Sequence, residues 1–391
     1  MKKARRISDV PPYLFARQNA LRDQLLSEGA DVVDMTVGDP DIPTPGHIIK
    51  RLAQAAARPE NHRYPPYEGT RTFRSAVASY YRRRFGVELD PLKEVMTLIG
   101  SKEGIAHLIW ALVDEGDVAL VPDPAYPVYV TQVKMAGGTP FPMPLMSGRG
   151  FRPVFDDIPA DVAKRSTLMI LNYPNNPTGA VVDLEFFEEA CAFAREYDIV
   201  VLHDGAYLDI TYDGYTAPSL LEVRGPRDLL VETYSLSKPF NMTGWRIGAI
   251  AGSSEVIYGA LSVIKTNLDS GQWNAIQEAG EEALESSPER VIRANCDTYR
   301  LRRDLLVSAL RRAGLDANAP KGTFYLWVPV PAGSDSGAFA EELLRKCGVL
   351  VTPGRAYGEH GEGYVRFSLT CPTGRVEEAA RRISKERWGS P

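Results

Sequence analysis

The chain has 391 residues, 44% of them apolar, which is enough for a large buried core and about two or three domains. Its 45 basic and 50 acidic residues are spread along the sequence and sum to −5, so no basic patch favours nucleic acid or an anionic membrane. Four dispersed cysteines without CxxC or Cys/His spacing argue against a zinc site or a disulfide framework, and no apolar run follows the basic N-terminus, so the cytoplasm is the expected setting.

In chain order, PPYLF at residues 11–15 is expected to be extended because proline fixes its backbone, and Ala16 to Glu28 suits a helix ending at Gly29. DVVDMTVG reads as a short strand ending at Gly38, followed by a Pro-rich loop of the kind that often carries ligands. A helical pattern covers His47 to Arg58. Pro65 and Pro66 then stiffen a loop that presents Tyr64 and Tyr67, and Thr70 or Thr72 caps a helix with Phe73, Val77 and Tyr81 on one face. Arg82, Arg83 and Arg84, closed by Gly86, read as a solvated helix end where positive charge suits the dipole.

From Glu94 onward short strands alternate with helices: EVMTLIG, DVALVPDP, TLMILNYP, IVVLHDG, LLVETYSLS and RIGAIAG. Several lack polar alternation, which predicts an α/β fold whose mainly parallel sheet is buried on both faces. Asp183 to Tyr197 predicts a helix with Leu184, Phe187, Cys191 and Ala194 on its inner face. Gly100, Ser101 and Lys102 open another, where free N–H groups suit an anion. Ligands of such sheets sit at the carboxyl ends of the strands, and there stand Tyr126, Asn176 in NYPNNPTG, Asp204 with Tyr207, and Ser235 with Lys238. YSLSKPFNMTGWRIG, from Tyr234 to Gly248, would suit a phosphorylated aldehyde, with Lys238 as the amine and Ser235 and Arg246 as phosphate ligands. A polar loop between two buried strands uses the same residue types. Pro288 to Ala313 predicts a long charged helix leading into a second unit made of TFYLWVPV, VLVTPG and YVRFSLT. P-loop, nucleophile-elbow and HExxH patterns are absent, and the five histidines have no metal-ligand spacing.

Taken in order, NYPNNPTG, HDGAY, YSLSKPFNMTGWRIG and YVRFSLT resemble the class I/II aminotransferases of fold type I, which use pyridoxal 5′-phosphate (PLP). The likeness spans nearly the whole chain. It implies a large PLP-binding domain at residues 46–290 on a mainly parallel seven-stranded sheet, with a smaller α+β domain. Residues 1–45 would form an N-terminal arm and part of the small domain, and residues 291–391 its C-terminal portion. By the same resemblance Lys238 would hold PLP and act as the base, with Asp204 at the ring nitrogen and Asn176 and Tyr207 at the 3′ oxygen. Tyr126 would stack on the ring, and Ser101, Lys102, Ser235 and Arg246 would bind the phosphate. Arg366 and Gly38 would take the substrate carboxylate. Tyr64 would reach a partner subunit's phosphate, which implies a homodimer with active sites at the interface.

Within the family, PPYLFA, YPPYEGTRTFRSAV, TLIGSKEGIAHL, VPDPAYPVY, KTNLDSG and VLVTPG are similar to the prokaryotic LL-diaminopimelate aminotransferases. The same runs recur in relatives acting on alanine, aspartate or methionine. The implied reaction is ping-pong exchange of an amino group between LL-2,6-diaminopimelate and 2-oxoglutarate, a step of lysine biosynthesis. Tyr67, Glu68, Lys102, Asn267, Asp269 and Ser270 are the candidates for reading the substrate's distal end. Pro239 departs from the small polar residue common after the lysine, and it keeps open the oxidation by O₂ of a basic amino acid such as arginine.

Overall fold

The structure is a computed structural model that describes residues 4–8, 16–286 and 288–388; the PPYLF segment, expected to be extended, lies outside the described residues. The strands up to the long helix are β1 (Val33–Asp34), β2 (Val95–Leu98), β3 (Val118–Asp123), β4 (Thr139–Pro144), β5 (Ser166–Leu171), β6 (Val200–Asp204), β7 (Leu230–Ser235) and β8 (Gly248–Gly252). Seven of them form one sheet in the order β2-β8-β7-β6-β5-β3-β4. The run from β7 to β4 is parallel, and β8 is antiparallel to both of its neighbours.

Alternation along the central strands divides the core into two layers. Leu168 and Ile170 of β5, Leu202 of β6 and Val231 of β7 face Leu108, Ile109 and Tyr129. Met169 and Leu171, Val201 and Leu230 face the other way, toward Phe73, Tyr81 and Phe187. Helices cover both faces, so every residue of β6 and β7 is buried, as the unbroken apolar runs predict. The helix Leu184–Tyr197 is capped by Asp183, whose Oδ1 accepts from Phe186 N at 3.1 Å.

β4 is absent from the predicted strands because its sequence, TPFPMP, reads as a breaker. It is an edge strand, and its flanking ladder donors are the odd-numbered Thr139 and Leu145, bonded to the carbonyls of Asp117 and Asp123 at 2.9 and 2.8 Å. Pro140, Pro142 and Pro144 occupy the even positions, where a missing N–H faces outward. The strand predicted over DVVDMTVG shrinks to the two residues of β1. Asp34 Oδ1 accepts from both Thr36 N (2.9 Å) and Thr36 Oγ1 (2.6 Å), a local turn that competes with the ladder.

The remaining strands are β9 (Tyr325–Pro329), β10 (Val349–Leu350), β11 (Thr352–Pro353) and β12 (Tyr364–Ser368). β11, β12 and β9 form an antiparallel sheet, while β1 pairs in parallel with β10 and so joins the N-terminal segment to the C-terminal unit. A separate core, with Val33, Leu306, Phe339, Val365 and Val376, packs there. No described helix is long and apolar enough to cross a membrane.

Two helices show how charge is used. Thr70 caps Arg71–Phe85 and Gly86 closes it at φ 68°, but the terminal basic run is not simply solvated. Arg84 Nε lies 3.3 Å from Asp209 Oδ1, a buried carboxylate whose other oxygen accepts from Tyr80 and Tyr234. Farther on, Arg302 of the 25-residue helix Pro288–Arg312 grips Asp41 with two bonds of 2.6 and 2.9 Å. Its Nη1 also donates to Leu369 O and its Nε to Thr373 Oγ1. This fork fixes the loop after Gly38 against the C-terminal unit. In Asp41→Ala the guanidinium stays buried and loses its counter-charge. We expect a loss of about 3 kcal/mol, read as a lower urea midpoint at constant slope; an unchanged midpoint would show that the pair adds nothing.

Candidate active site

Where β5, β6 and β7 end, a cavity of about 850 Å³ opens toward β9 and β12. Gly38, Ser101, Lys102, Tyr126, Asn176, Asp204, Tyr207, Ser235, Lys238, Arg246 and Arg366 all line it. Tyr64, Tyr67 and Ser270 are not on its walls; Tyr64 is 87% exposed and Tyr67 45%.

Asp204 ends β6 and stands beside Thr233 of β7. Its Oδ2 accepts from Tyr129 Oη at 2.6 Å and its Oδ1 from Thr233 Oγ1 at 3.3 Å. Burial raises this carboxyl above its ordinary range, against the Tyr129 bond, the neighbouring His203 and the Thr233 bond. Asn172 locks the adjoining loop, donating to Asp204 O (2.7 Å) and accepting from Asn176 N (2.8 Å).

Lys238 lies in the turn after β7 and donates from Nζ to Gly38 O at 2.7 Å. Burial brings the amine down to about 8; Arg246 and Arg366 push the same way, while Asp39 and Asp204 oppose them. A sizeable neutral fraction near neutral pH makes the group a nucleophile. Gly38 itself admits no side chain, since a Cβ there would lie 1.8 Å from Tyr325 Oη.

The opposite end of the cavity is an anion cradle. Gly100, at φ 75°, precedes the helix Ser101–Leu112, and a Cβ on it would stand 2.4 Å from Arg246 Nη2. Bare backbone therefore lets the guanidinium approach the helix start at Ser101 and Lys102, whose N–H groups precede the first intrahelical bond, while Glu103 N already donates to Gly100 O at 3.1 Å. Ser101 Oγ is buried with no partner among the described residues. Ser235 Oγ accepts from Ser237 N at 3.2 Å and keeps its own hydrogen to donate. Arg246 sits at φ 54° with Nη1 anchored on Thr243 O, a left-handed backbone held by its surroundings.

Arg366, on β12, forms the third charged wall. Nη1 donates to Asn176 Oδ1 (2.8 Å) and Nη2 to Thr36 O (2.5 Å), while its buried Nε has no partner among the described residues. The guanidinium carbon lies 4.1 Å from the Tyr325 ring centroid and 4.8 Å from that of Tyr357. A planar cation sandwiched in this way with an unmet donor is set for a carboxylate. Asn176 is linked to it through Oδ1, which leaves the amide Nδ2 as a donor. Tyr207 Oη is 3.0 Å from Tyr325 Oη, and burial, reinforced by Tyr325, keeps that phenol well above its ordinary range and protonated.

Sequence reasoning missed Tyr129, Asn172 and Tyr325. Tyr129 follows Tyr126 by three residues in VPDPAYPVY, a helical spacing that could have flagged it; Tyr325 within TFYLWVPV carries no such signal. His203, beside Asp204, is fully buried between Glu232 (2.7 Å from Nδ1) and the Tyr173 backbone, and faces away from the cavity walls. Among the distal candidates, Asp269 is already engaged by Lys265 and by Gly271 N.

The family model for class I and II aminotransferases matches residues 30–383. An LL-diaminopimelate aminotransferase from Moorella thermoacetica is 51% identical over 385 residues, with 98% of each chain covered. One from Desulforudis audaxviator is 52% identical, with 97% of each covered. Among solved structures, substrate-bound BacF from Bacillus subtilis superposes with a TM-score of 0.93 at 34% identity and full coverage of both chains. A Thermus thermophilus aspartate aminotransferase mutant gives 0.92 at 30% identity, covering 98% of this chain and 99% of its own. Relatives half-identical from end to end, and a family match that takes in nearly every wall of the cavity, agree: the chain belongs to the class I and II aminotransferases.

Proposed function

We propose that this chain is a PLP-dependent aminotransferase that exchanges an amino group between LL-2,6-diaminopimelate and 2-oxoglutarate by a ping-pong route. The observation that carries the chemistry is one cavity bounded by a partly neutral lysine, a buried carboxylate and the guanidinium groups of Arg246 and Arg366, with Ser101 Oγ and Arg366 Nε left without partners among the described residues. Its donor set fits PLP. The cradle of Ser101, Lys102, Ser235 and Arg246 would hold the phosphate, Asp204 the ring nitrogen, Asn176 and Tyr207 the 3′ oxygen, and Tyr126 the ring face. When bound, PLP supplies the electron-withdrawing ring that makes the substrate Cα–H acidic.

The protein's own groups do the rest. Lys238 Nζ would hold the cofactor, and as a free amine it is the base placed to take the proton from the substrate Cα and carry it on Nζ. Tyr129 and Thr233 keep Asp204 oriented. Arg366 grips the α-carboxylate by its fork, with the Gly38 backbone beside it, and so fixes which Cα bond faces Lys238.

The substrate choice rests on the whole-length likeness to the diaminopimelate enzymes. We also propose a homodimer in which Tyr64 reaches the phosphate of the partner subunit, and Tyr67, Glu68, Lys102, Asn267 and Ser270 read the substrate's distal end, some of them across the interface. The outward exposure of Tyr64, with Trp110, Val263 and Leu268 also exposed, supports this arrangement. Residues 46–290 would serve as the cofactor-binding domain, with 1–45 and 291–391 closing the substrate side. Four free cysteines support a cytoplasmic setting.

Glutamate formation from 2-oxoglutarate, measured with LL- and meso-diaminopimelate, alanine, aspartate and arginine as donors, is expected to be fastest with the LL isomer. Oxygen uptake with arginine and no acceptor would instead establish the oxidase reading. Lys238→Arg should lose at least ~1,000-fold in kcat, the scale of removing a nucleophile and a base together; normal turnover would sink the mechanism. Arg366→Lys should raise KM for both substrates about tenfold or more, as a point charge replaces a bidentate fork.

The pH dependence follows from the sign of the lysine shift. Only the neutral amine attacks an aldehyde, so the rate of PLP uptake by apoprotein, followed by absorbance, should rise through about pH 8 and level off above it. A rise continuing to the ordinary lysine value of 10.5 would contradict the burial of Lys238.

A further inference from the structure

A second charged cluster lies outside the cavity. Lys265, on the helix Ser262–Leu268, is only 1% exposed. Its ammonium is 3.1 Å from Glu103 Oε1 and 3.1 and 3.2 Å from the two carboxylate oxygens of Asp269. His107 Nδ1 stands 2.7 Å from the same Glu103 oxygen and 4.0 Å from Asp269. Candidate ligand atoms of Glu103, His107 and Asp269 all fall within 4.8 Å of one another, a spacing that could hold a metal ion. Here the lysine ammonium supplies the cation.

What the carboxylates hold on their far sides gives the cluster its meaning. Glu103 Oε2 accepts from Ile99 N at 3.0 Å, bracing the turn that leads through Gly100 into Ser101. Asp269 Oδ1 accepts from Gly271 N at 2.7 Å. Gly271, at φ 85°, packs so closely on the Pro-stiffened loop that a Cβ would lie 2.8 Å from Pro66 O. One ammonium therefore stands between the turn that opens the anion cradle and the loop bearing Tyr64 and Tyr67. A compact charge with three donors suits three oxygens from two elements; a planar guanidinium fork does not.

We propose that Lys265 is a positioning residue for cofactor retention: it ties the Ile99–Ser101 turn to the 269–271 loop and offsets the charge of the two carboxylates behind the phosphate cradle. Without it, Glu103, two residues from Ser101, and Asp269 carry unbalanced negative charge behind a site that must hold an anion. The brace on Ile99 N and the seat of the Pro65–Tyr67 loop then lose their common anchor. Phosphate-side affinity falls, while the groups around Lys238 and Asp204 keep their own partners.

This inference rests on the PLP reading above, and the test separates the two. Wild-type protein that never takes up PLP sinks that reading before any variant is compared. Given a PLP-bound wild type, holoenzyme of Lys265→Met should release PLP, followed by absorbance after dilution, roughly tenfold faster or more. Excess PLP should restore the lost kcat. Arg84→Met, which breaks the half-buried pair with Asp209 on the other side of the sheet, serves as the control and should lower the melting temperature without changing PLP release. Should Lys265→Met fail to fold, the charge-balanced double variant Lys265→Met/Asp269→Asn should show the same faster release, because the tie to the loop is still cut. Wild-type release from a folded variant, equal acceleration in Arg84→Met, or a kcat that stays low at saturating PLP would each overturn the proposal.

Discussion

The site depends on parallel strands that end side by side. Leu171 pairs with His203, and Asp204 with Thr233, so the residues just beyond β5, β6 and β7 enter one volume. Because both faces of these strands are buried, slipping any of them by one residue would exchange the two apolar layers wholesale. Register is thus fixed by packing far from the cavity, and Asp204 inherits its position from it. The bonds from Tyr129 and Thr233 only finish the orientation. Antiparallel β8 plays a complementary part. Ser235 pairs with Gly248, and a Cβ on Gly248 would lie 2.7 Å from Tyr234 O, so the strand following Arg246 closes tightly against β7 beside Ser101.

The cavity's electrostatics follow from what that geometry gathers. Lys238, Arg246 and Arg366 share its walls with one buried carboxylate, Asp204. Burial and the two arginines depress the lysine, while burial raises the aspartate, so each group alone tends toward its neutral form. The arginines cannot shed their protons and instead need anions. A ligand with one anionic group at each end relieves both of them and leaves the centre to the lysine. Arg366 also contacts Asn176, Thr36 and two tyrosine rings, and Lys238 donates to the Gly38 carbonyl.

How much of this could be read from the chain depended on whether the signal was local. The buried central strands and the helix Leu184–Tyr197 announce themselves through apolar period, and the residues gathered at strand ends follow from one topological rule. β4 did not, because three prolines look like a breaker until the strand is known to lie at an edge. Arg84 looked solvated because its partner Asp209 is 125 residues away in sequence, and no periodicity carries that information. Asp269 appeared available to a ligand although its lysine partner is only four residues earlier, a helical spacing that a local reading does carry. Tyr64, Tyr67 and Ser270 belong to a different class: they stand off the cavity's walls, Tyr64 and Tyr67 exposed, so this chain's own packing assigns them no contact with the site.

Pro239 brings the two scales together. Proline after the lysine removes a backbone donor and any side-chain hydroxyl, which in sequence looks like a threat to the lysine's placement. The turn is held from either side of it instead: Ser237 N donates to Ser235 Oγ, and Phe240 N to Leu236 O. Pro239 keeps its acceptor, and its carbonyl takes a 2.8 Å bond from Asn295 Nδ2 on the long helix Pro288–Arg312. Asn295 Oδ1 in turn receives Asn241 Nδ2 at 3.3 Å. The residue after the lysine is therefore anchored through the one polar backbone group proline retains, to a helix that also carries Arg302 and its grip on Asp41. Asp41 closes the loop that begins at Gly38, whose carbonyl receives Lys238. One helix thus sets both sides of the lysine's immediate surroundings, and the fixed φ of proline stiffens the turn between them.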